Sequence, residues 1–226
     1  MTDRESQLSE KIAAMIAERL TTGEKLPPEK ELMQQFGVSR TALRDVLNTY
    51  EARGVLASVQ GSGRTVKMPD LTDQILNTWG LVLKAKPDLL FDILELRTSL
   101  EMSALPRMAE RIDMEQLQFM GMQVEIMKGK AARGETFKEE DRAFHLAMFK
   151  KCGNVLTEQL LTALWQLLNT QIATQHPDLM AVAKQHEDLV KALARQDLAA
   201  LQRATREQLA DVRYRVISNM VQKDRA

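Results

Sequence analysis

The 226-residue sequence has one cysteine, Cys152. An internal disulfide and a thiolate zinc site are therefore both excluded. Aromatic residues make up only 4% of the chain, while Ala, Leu, Met, Glu, Gln, Lys and Arg recur throughout, a profile that excludes an all-sheet fold and favours helices. No apolar run approaches the roughly 20 residues needed to cross a bilayer, and the first residues lack the basic-then-apolar order of a secretion signal. A soluble, cytoplasmic protein with no membrane partner is expected. Formal net charge is zero, which excludes a polybasic surface along the whole chain. Charge is uneven, however. Between Gly37 and Lys67 five basic residues (Arg40, Arg44, Arg53, Arg64, Lys67) face two acidic ones (Asp45, Glu51), a local excess of +3.

Two domains fit this length. Leu8, Ile12, Met15, Ile16 and Leu20 repeat at helical spacing until Gly23, and Pro28 suits the first position of a second, short helix. Gly37 then supplies a sharp turn, Val38 packs into the corner, and Ser39 can cap a third helix through its hydroxyl. On that helix Leu43, Val46, Leu47 and Tyr50 make a stripe for burial. Arg40, Thr41, Arg44 and Asn48 are left on another face. After Gly54 the period changes: VLASV and RTVKM flank QGSG, the pattern of a small hairpin. Residues 1–68 thus predict a winged helix-turn-helix, and 69–226 a helical domain. Its helices are predicted near 71–84, 87–111, 113–132, 135–151, 155–174, 178–195 and 197–221. The fold class is all-α with a β-hairpin wing, the second domain being an antiparallel bundle of six or seven helices.

A helix after such a turn can present its first residues to the major groove. Arg40 and Arg44 are four apart and share a face, and their guanidinium groups can pair with guanine or phosphate. Ser39 and Thr41 can offer hydroxyls, and Lys30 a backbone contact. Gly61 and Gly63, with Arg64 following, form a wing tip slim enough for the adjacent minor groove. In the second domain, Asp141 and His145 share a helical face and His186 comes from a later helix. One carboxylate and two imidazoles could hold a divalent metal inside a bundle.

The stretch GEKLPPEKELMQQFGVSRTALRDVLNTYEARGVLASVQGSGRTV closely resembles the DNA-binding domain of the GntR family of bacterial transcription regulators. The helical remainder resembles the effector-binding FCD domain of its FadR subfamily. The resemblance implies a homodimer on a short palindromic operator in double-stranded DNA, a repressor controlled by a small organic acid. It matches Arg40, Arg44 and Gly61 to DNA contacts, with Lys30 standing where the family often has arginine. It also implies zinc or nickel at the Asp-x-x-x-His pair and the later histidine, but Gln208 stands where a third histidine is usual. A neutral amide is a poorer ligand than imidazole for those ions. Arg97 resembles the arginine of an early effector-domain helix. Its charge needs a partner, either Glu95, Glu101 or another bundle carboxylate, or the carboxylate of the effector. With Gln208, Asn154 completes the effector-side residues, although after Gly153 it reads better as a helix cap. His176 belongs to a loop and does not replace the missing ligand. The chain is not expected to be an enzyme. The alternatives are a metal-dependent hydrolase using the bundle site, or an architectural DNA-binding dimer without an effector.

Overall fold

The computed structural model describes residues 3–59, 63–171 and 178–223. They divide into two compact units, Met1–Asp70 and Leu71–Ala226. The first holds α1 (Asp3–Thr22), α2 (Glu29–Phe36), α3 (Arg40–Ala52), β1 (Leu56–Val59) and β2 (Gly63–Val66). Pro28 flanks α2 rather than opening it, one residue earlier than expected. Gly37 adopts the left-handed conformation at φ 63°, and Val38 N–H donates to Met33 O at 3.2 Å. Ser39 Oγ then accepts from Ala42 N–H at 3.3 Å, which starts α3.

All four apolar positions expected to face inward on α3 are buried. Leu43, Val46, Leu47 and Tyr50 pack with Leu8, Ile12 and Ile16 of α1, Leu32 of α2 and Leu56 of β1. Tyr50 can bury its ring because its hydroxyl donates to Ser9 O at 3.0 Å. Because the turn requires a left-handed residue, Gly37→Ala is expected to cost the first unit about 1–2 kcal/mol. Nothing lies within 4 Å of the added methyl, so the loss is conformational. Thermal unfolding of the full chain measures it, and an unchanged midpoint would remove this account of the turn.

The hairpin pairs Leu56 with Val66 and Val59 with Gly63 in antiparallel register. It is also joined to the α1–α2 connection, where Lys25 bridges to Thr65 and Leu26 N–H donates to Arg64 O at 3.2 Å.

The second unit holds α4 (Leu71–Ala85), α5 (Leu90–Arg111), α6 (Met114–Ala132), α7 (Lys138–Phe149), α8 (Val155–Gln171), α9 (Leu179–Ala194) and α10 (Leu198–Lys223). Pro87 opens a separate 3-10 turn rather than the long helix expected from residue 87. Carboxylate and amide caps fix three helix starts: Asp113 accepts from Gln116 N–H at 2.8 Å, Asn154 from Leu156 and Thr157 N–H at 3.0 Å, and Asp178 from Ala181 N–H at 2.8 Å. One apolar core gathers Met108, Met120, Phe144, Phe149 and Leu189 from α5, α6, α7 and α9. A second joins Leu83, Leu94, Leu168 and Val216 of α4, α5, α8 and α10. Among the described residues no helix is long and apolar enough to cross a membrane.

Candidate functional site

Each unit carries one candidate site. In the first, Lys30, Ser39, Arg40, Thr41, Arg44 and Gly63 are all exposed, and α3 brings Ser39, Arg40, Thr41 and Arg44 to its N-terminal end. Gly61 lies outside the described residues. Arg64 differs from expectation: instead of projecting from the wing, its side chain is only 13% exposed. Its guanidinium donates to Glu29 at 2.6 Å and to Asn48 Oδ1 at 3.1 Å, with Glu51 at 3.6 Å. The same Glu29 accepts from Arg44 Nε at 3.0 and 3.2 Å. Burial pushes the Glu29 carboxyl up, but the bonds from Arg64 and Arg44 outweigh it and hold the carboxyl below its ordinary value. One carboxylate on α2 therefore ties the recognition helix to the hairpin. Sequence spacing missed it because Glu29 lies 15 residues from one arginine and 35 from the other.

In the second unit a cavity of about 120 Å³ is lined by Arg97, Asp141, His145, Trp165, His186 and Gln208, among others. The helices deliver these groups by simple periodicity. On α9, Val182, His186, Leu189 and Leu193 share the buried stripe, so His186 must face inward. On α7, Phe144, His145, Met148 and Phe149 do the same, and Asp141 stands one turn before His145. The rings are held by aromatic neighbours, Phe144 edge-on to His186 at 4.8 Å and Trp165 tilted against His145 at 5.5 Å.

The polar atoms converge tightly. His186 Nε2 is 2.8 Å from Asp141 Oδ1, 3.3 Å from His145 Nε2 and 3.2 Å from Gln208 Nε2. His145 Nε2 lies 3.4 Å from the same Asp141 oxygen. His186 Nδ1–H donates to Val182 O at 2.8 Å, so in the neutral ring Nε2 is the lone-pair nitrogen. Burial by itself pushes the Asp141 carboxyl up, yet hydrogen bonds and charge from His145 and His186 prevail and hold it well below the carboxylate range. Burial also pushes the His145 imidazole down, against the pull of Asp141 and with the aid of His186 and Arg97. At 2.8 Å the Asp141 carboxylate and His186 Nε2 are joined either by a proton on that nitrogen or by a cation that both ligate. The ligand atoms of Asp141, His145 and His186 all lie within 4.8 Å of one another, and this donor set fits a divalent ion.

Arg97 is 1% exposed and Glu101 0%. Of the carboxylates named from the sequence, it is Glu101 that pairs with Arg97, through Nε at 3.1 Å. That bond does not remove Arg97 from the cavity, so both partners foreseen for it are compatible. Asn154 caps α8 and does not line the cavity. Gln208, by contrast, is 4% exposed and touches His186.

The first unit has the form of a winged helix-turn-helix, a DNA-binding module, and the second is all-helical around a cavity that gathers charged and polar side chains. Residues 4–66 match the bacterial regulatory proteins of the gntR family, and residues 92–211 match the FCD domain. The chain belongs to the GntR family and carries an FCD domain. It is 26% identical over 220 residues, 91% of this chain and 83% of the other, to an Escherichia coli (strain K12) protein named "Putative L-lactate dehydrogenase operon regulatory protein". It is 27% identical over 221 residues, 96% of this chain and 91% of the other, to the HTH-type transcriptional regulator YcbG of Bacillus subtilis (strain 168). Among solved structures, Streptococcus agalactiae GntR superposes with a TM-score of 0.70 at 25% identity, covering 93% of this chain and 99% of that one. The protein is a DNA-binding transcription regulator of the GntR and FCD kind.

Proposed function

We propose that the chain acts as a homodimeric repressor that binds a short palindromic operator and is controlled by a small carboxylate held in the second unit. Arg40 and Arg44 read base edges, Ser39, Thr41 and Lys30 hold phosphates, and the wing enters the neighbouring minor groove at Gly61 and Gly63. The observation that carries the effector half is the convergence of Arg97 with Asp141, His145 and His186 on one cavity. A bound zinc or nickel ion would supply open coordination positions for a carboxylate. The chain's own residues do the rest: Asp141, His145 and His186 hold the ion, Arg97 adds a fixed positive charge, and the aromatic rings exclude water.

An apolar cavity of about 150 Å³ admits benzene, so a cavity of about 120 Å³ can hold an acid on the scale of lactate or glycolate. The E. coli relative, named for an L-lactate dehydrogenase operon, supports the same scale. Such a ligand can alter DNA affinity only by binding the DNA-free and DNA-bound states unequally.

A gel-shift or anisotropy titration with the DNA upstream of the protein's own gene tests the proposal. Affinity is expected to fall about 10³- to 10⁵-fold between 50 and 200 mM salt if roughly 6–10 phosphates are contacted. L-lactate or glycolate added to metal-loaded protein should weaken binding further at fixed salt. Affinity indifferent to sequence, salt and acid alike would sink the proposal.

A further inference from the structure

We propose that Gln208 is a fourth metal ligand, acting through its side-chain carbonyl oxygen, and that this amide shifts the site's preference from nickel and zinc toward harder ions such as manganese. The inference rests on the reading that Asp141, His145 and His186 hold a metal, and it concerns what the fourth group does there.

The Gln208 amide is buried, and its Oε1 has no hydrogen-bond partner among the described residues. Its Nε2 stands 3.2 Å from His186 Nε2. That nitrogen already faces Asp141 Oδ1 at 2.8 Å and His145 Nε2 at 3.3 Å. Because His186 gives its Nδ1 proton to Val182 O, the amide N–H must share the Nε2 lone pair with a carboxylate that also seeks a positive partner. With the amide in this orientation, each placement of the His186 protons leaves one contact unmatched. A proton on Nε2 satisfies Asp141 but turns the amide N–H against another N–H. Leaving Nε2 bare satisfies the amide but sets lone pair against carboxylate.

A half-turn of the amide exchanges its oxygen and nitrogen, an assignment that heavy-atom positions alone do not fix. The oxygen then stands beside the three ligand atoms, where four acceptors converge in the arrangement that a divalent cation requires. The donor set becomes two imidazole nitrogens and two oxygens, one from Asp141 and one from Gln208. Imidazole suits nickel and zinc, whereas carbonyl and carboxylate oxygens suit manganese and magnesium. An amide at residue 208 therefore weakens the borderline ions more than the hard ones.

The experiment uses the full chain, stripped with chelator and dialysed, without organic acid. MnCl2, NiCl2 and ZnCl2 are titrated by calorimetry and thermal shift into the native protein and into Gln208→His, Gln208→Met and Gln208→Glu. Since even outer-shell partners are worth about 10- to 100-fold in affinity, Gln208→Met should lose roughly tenfold or more for Mn²⁺. Gln208→Glu, which keeps an oxygen donor, should bind Mn²⁺ at least as tightly as the native chain. Gln208→His should raise Ni²⁺ and Zn²⁺ affinity by roughly tenfold relative to Mn²⁺. Metal-free melting temperatures identify any variant that fails to fold, and the remaining variants still decide the matter. If Gln208→Met binds all three ions as the native chain does, Gln208 is no ligand although the three-residue site stands. If the native chain binds none of them, the metal reading itself falls, and this inference falls with it.

Discussion

Glu101→Ala is expected to destabilise the second unit by about 3–5 kcal/mol, the usual penalty for removing one member of a buried ion pair. The expectation follows from burial. Arg97 and Glu101 are almost wholly removed from solvent, and the alanine variant strands a guanidinium with no carboxylate on its Nε. Removing both charges is a different experiment, because Arg97→Met with Glu101→Leu leaves no buried charge behind. The double variant should recover most of the loss, as apolar replacements of buried pairs commonly do. Both tryptophans of the chain, Trp79 and Trp165, lie in α4 and α8, so urea unfolding followed by tryptophan fluorescence reports this unit alone. A carboxylate effector should restore part of the stability of Glu101→Ala by supplying the missing anion. A loss below about 1 kcal/mol would mean that Arg97 does not depend on this partner.

The second large effect is expected on DNA. Arg44→Ala should weaken operator binding by about 1–3 kcal/mol and relax discrimination at one base pair, the result for an arginine that reads guanine. Lys30→Ala should instead weaken all sequences alike and lower the salt slope by about 1. Arg64 makes the sharper contrast, since its guanidinium is committed to Glu29, Asn48 and Glu51. Arg64→Gln should reduce affinity while leaving the slope of log affinity against log salt unchanged. A slope reduced by about 0.9 would show that Arg64 neutralises a phosphate after all. Anisotropy titrations at several salt concentrations, on the operator and on single-base variants of it, separate these outcomes.

Much of the first unit was legible because its signals are local. The left-handed turn at Gly37, the Ser39 cap and the stripe from Leu43 to Tyr50 each depend on neighbours within a few residues. The bridge linking Lys25 to Thr65 was not legible, because one isolated bridge leaves no period in the sequence. The partners of Arg64 were not legible for a similar reason: Glu29 and Glu51 come from α2 and α3. In the second unit, helical spacing put Asp141 beside His145, and the resemblance singled out Gln208. Spacing could not bring α9 and α10 together at 3.2 Å. Helical spacing favours Glu101 over Glu95 for Arg97, since residues four apart share a face and residues two apart do not, but it could not show that both charges are buried. The buried stripe of α5 runs through Ile93, Leu94, Arg97, Glu101 and Leu105, so the helix hides a pair of charges among apolar residues, and Leu96 is left exposed.

The bridge made by Glu29 also bears on how recognition is timed. Arg44 spends only its Nε on the carboxylate, and the side chain remains 55% exposed, so the guanidinium is aimed without being covered. Freezing a long flexible side chain on encounter typically costs about 0.5–1.5 kcal/mol of association free energy. Here that ordering takes place during folding, and the helix and hairpin arrive at the duplex as a preassembled surface.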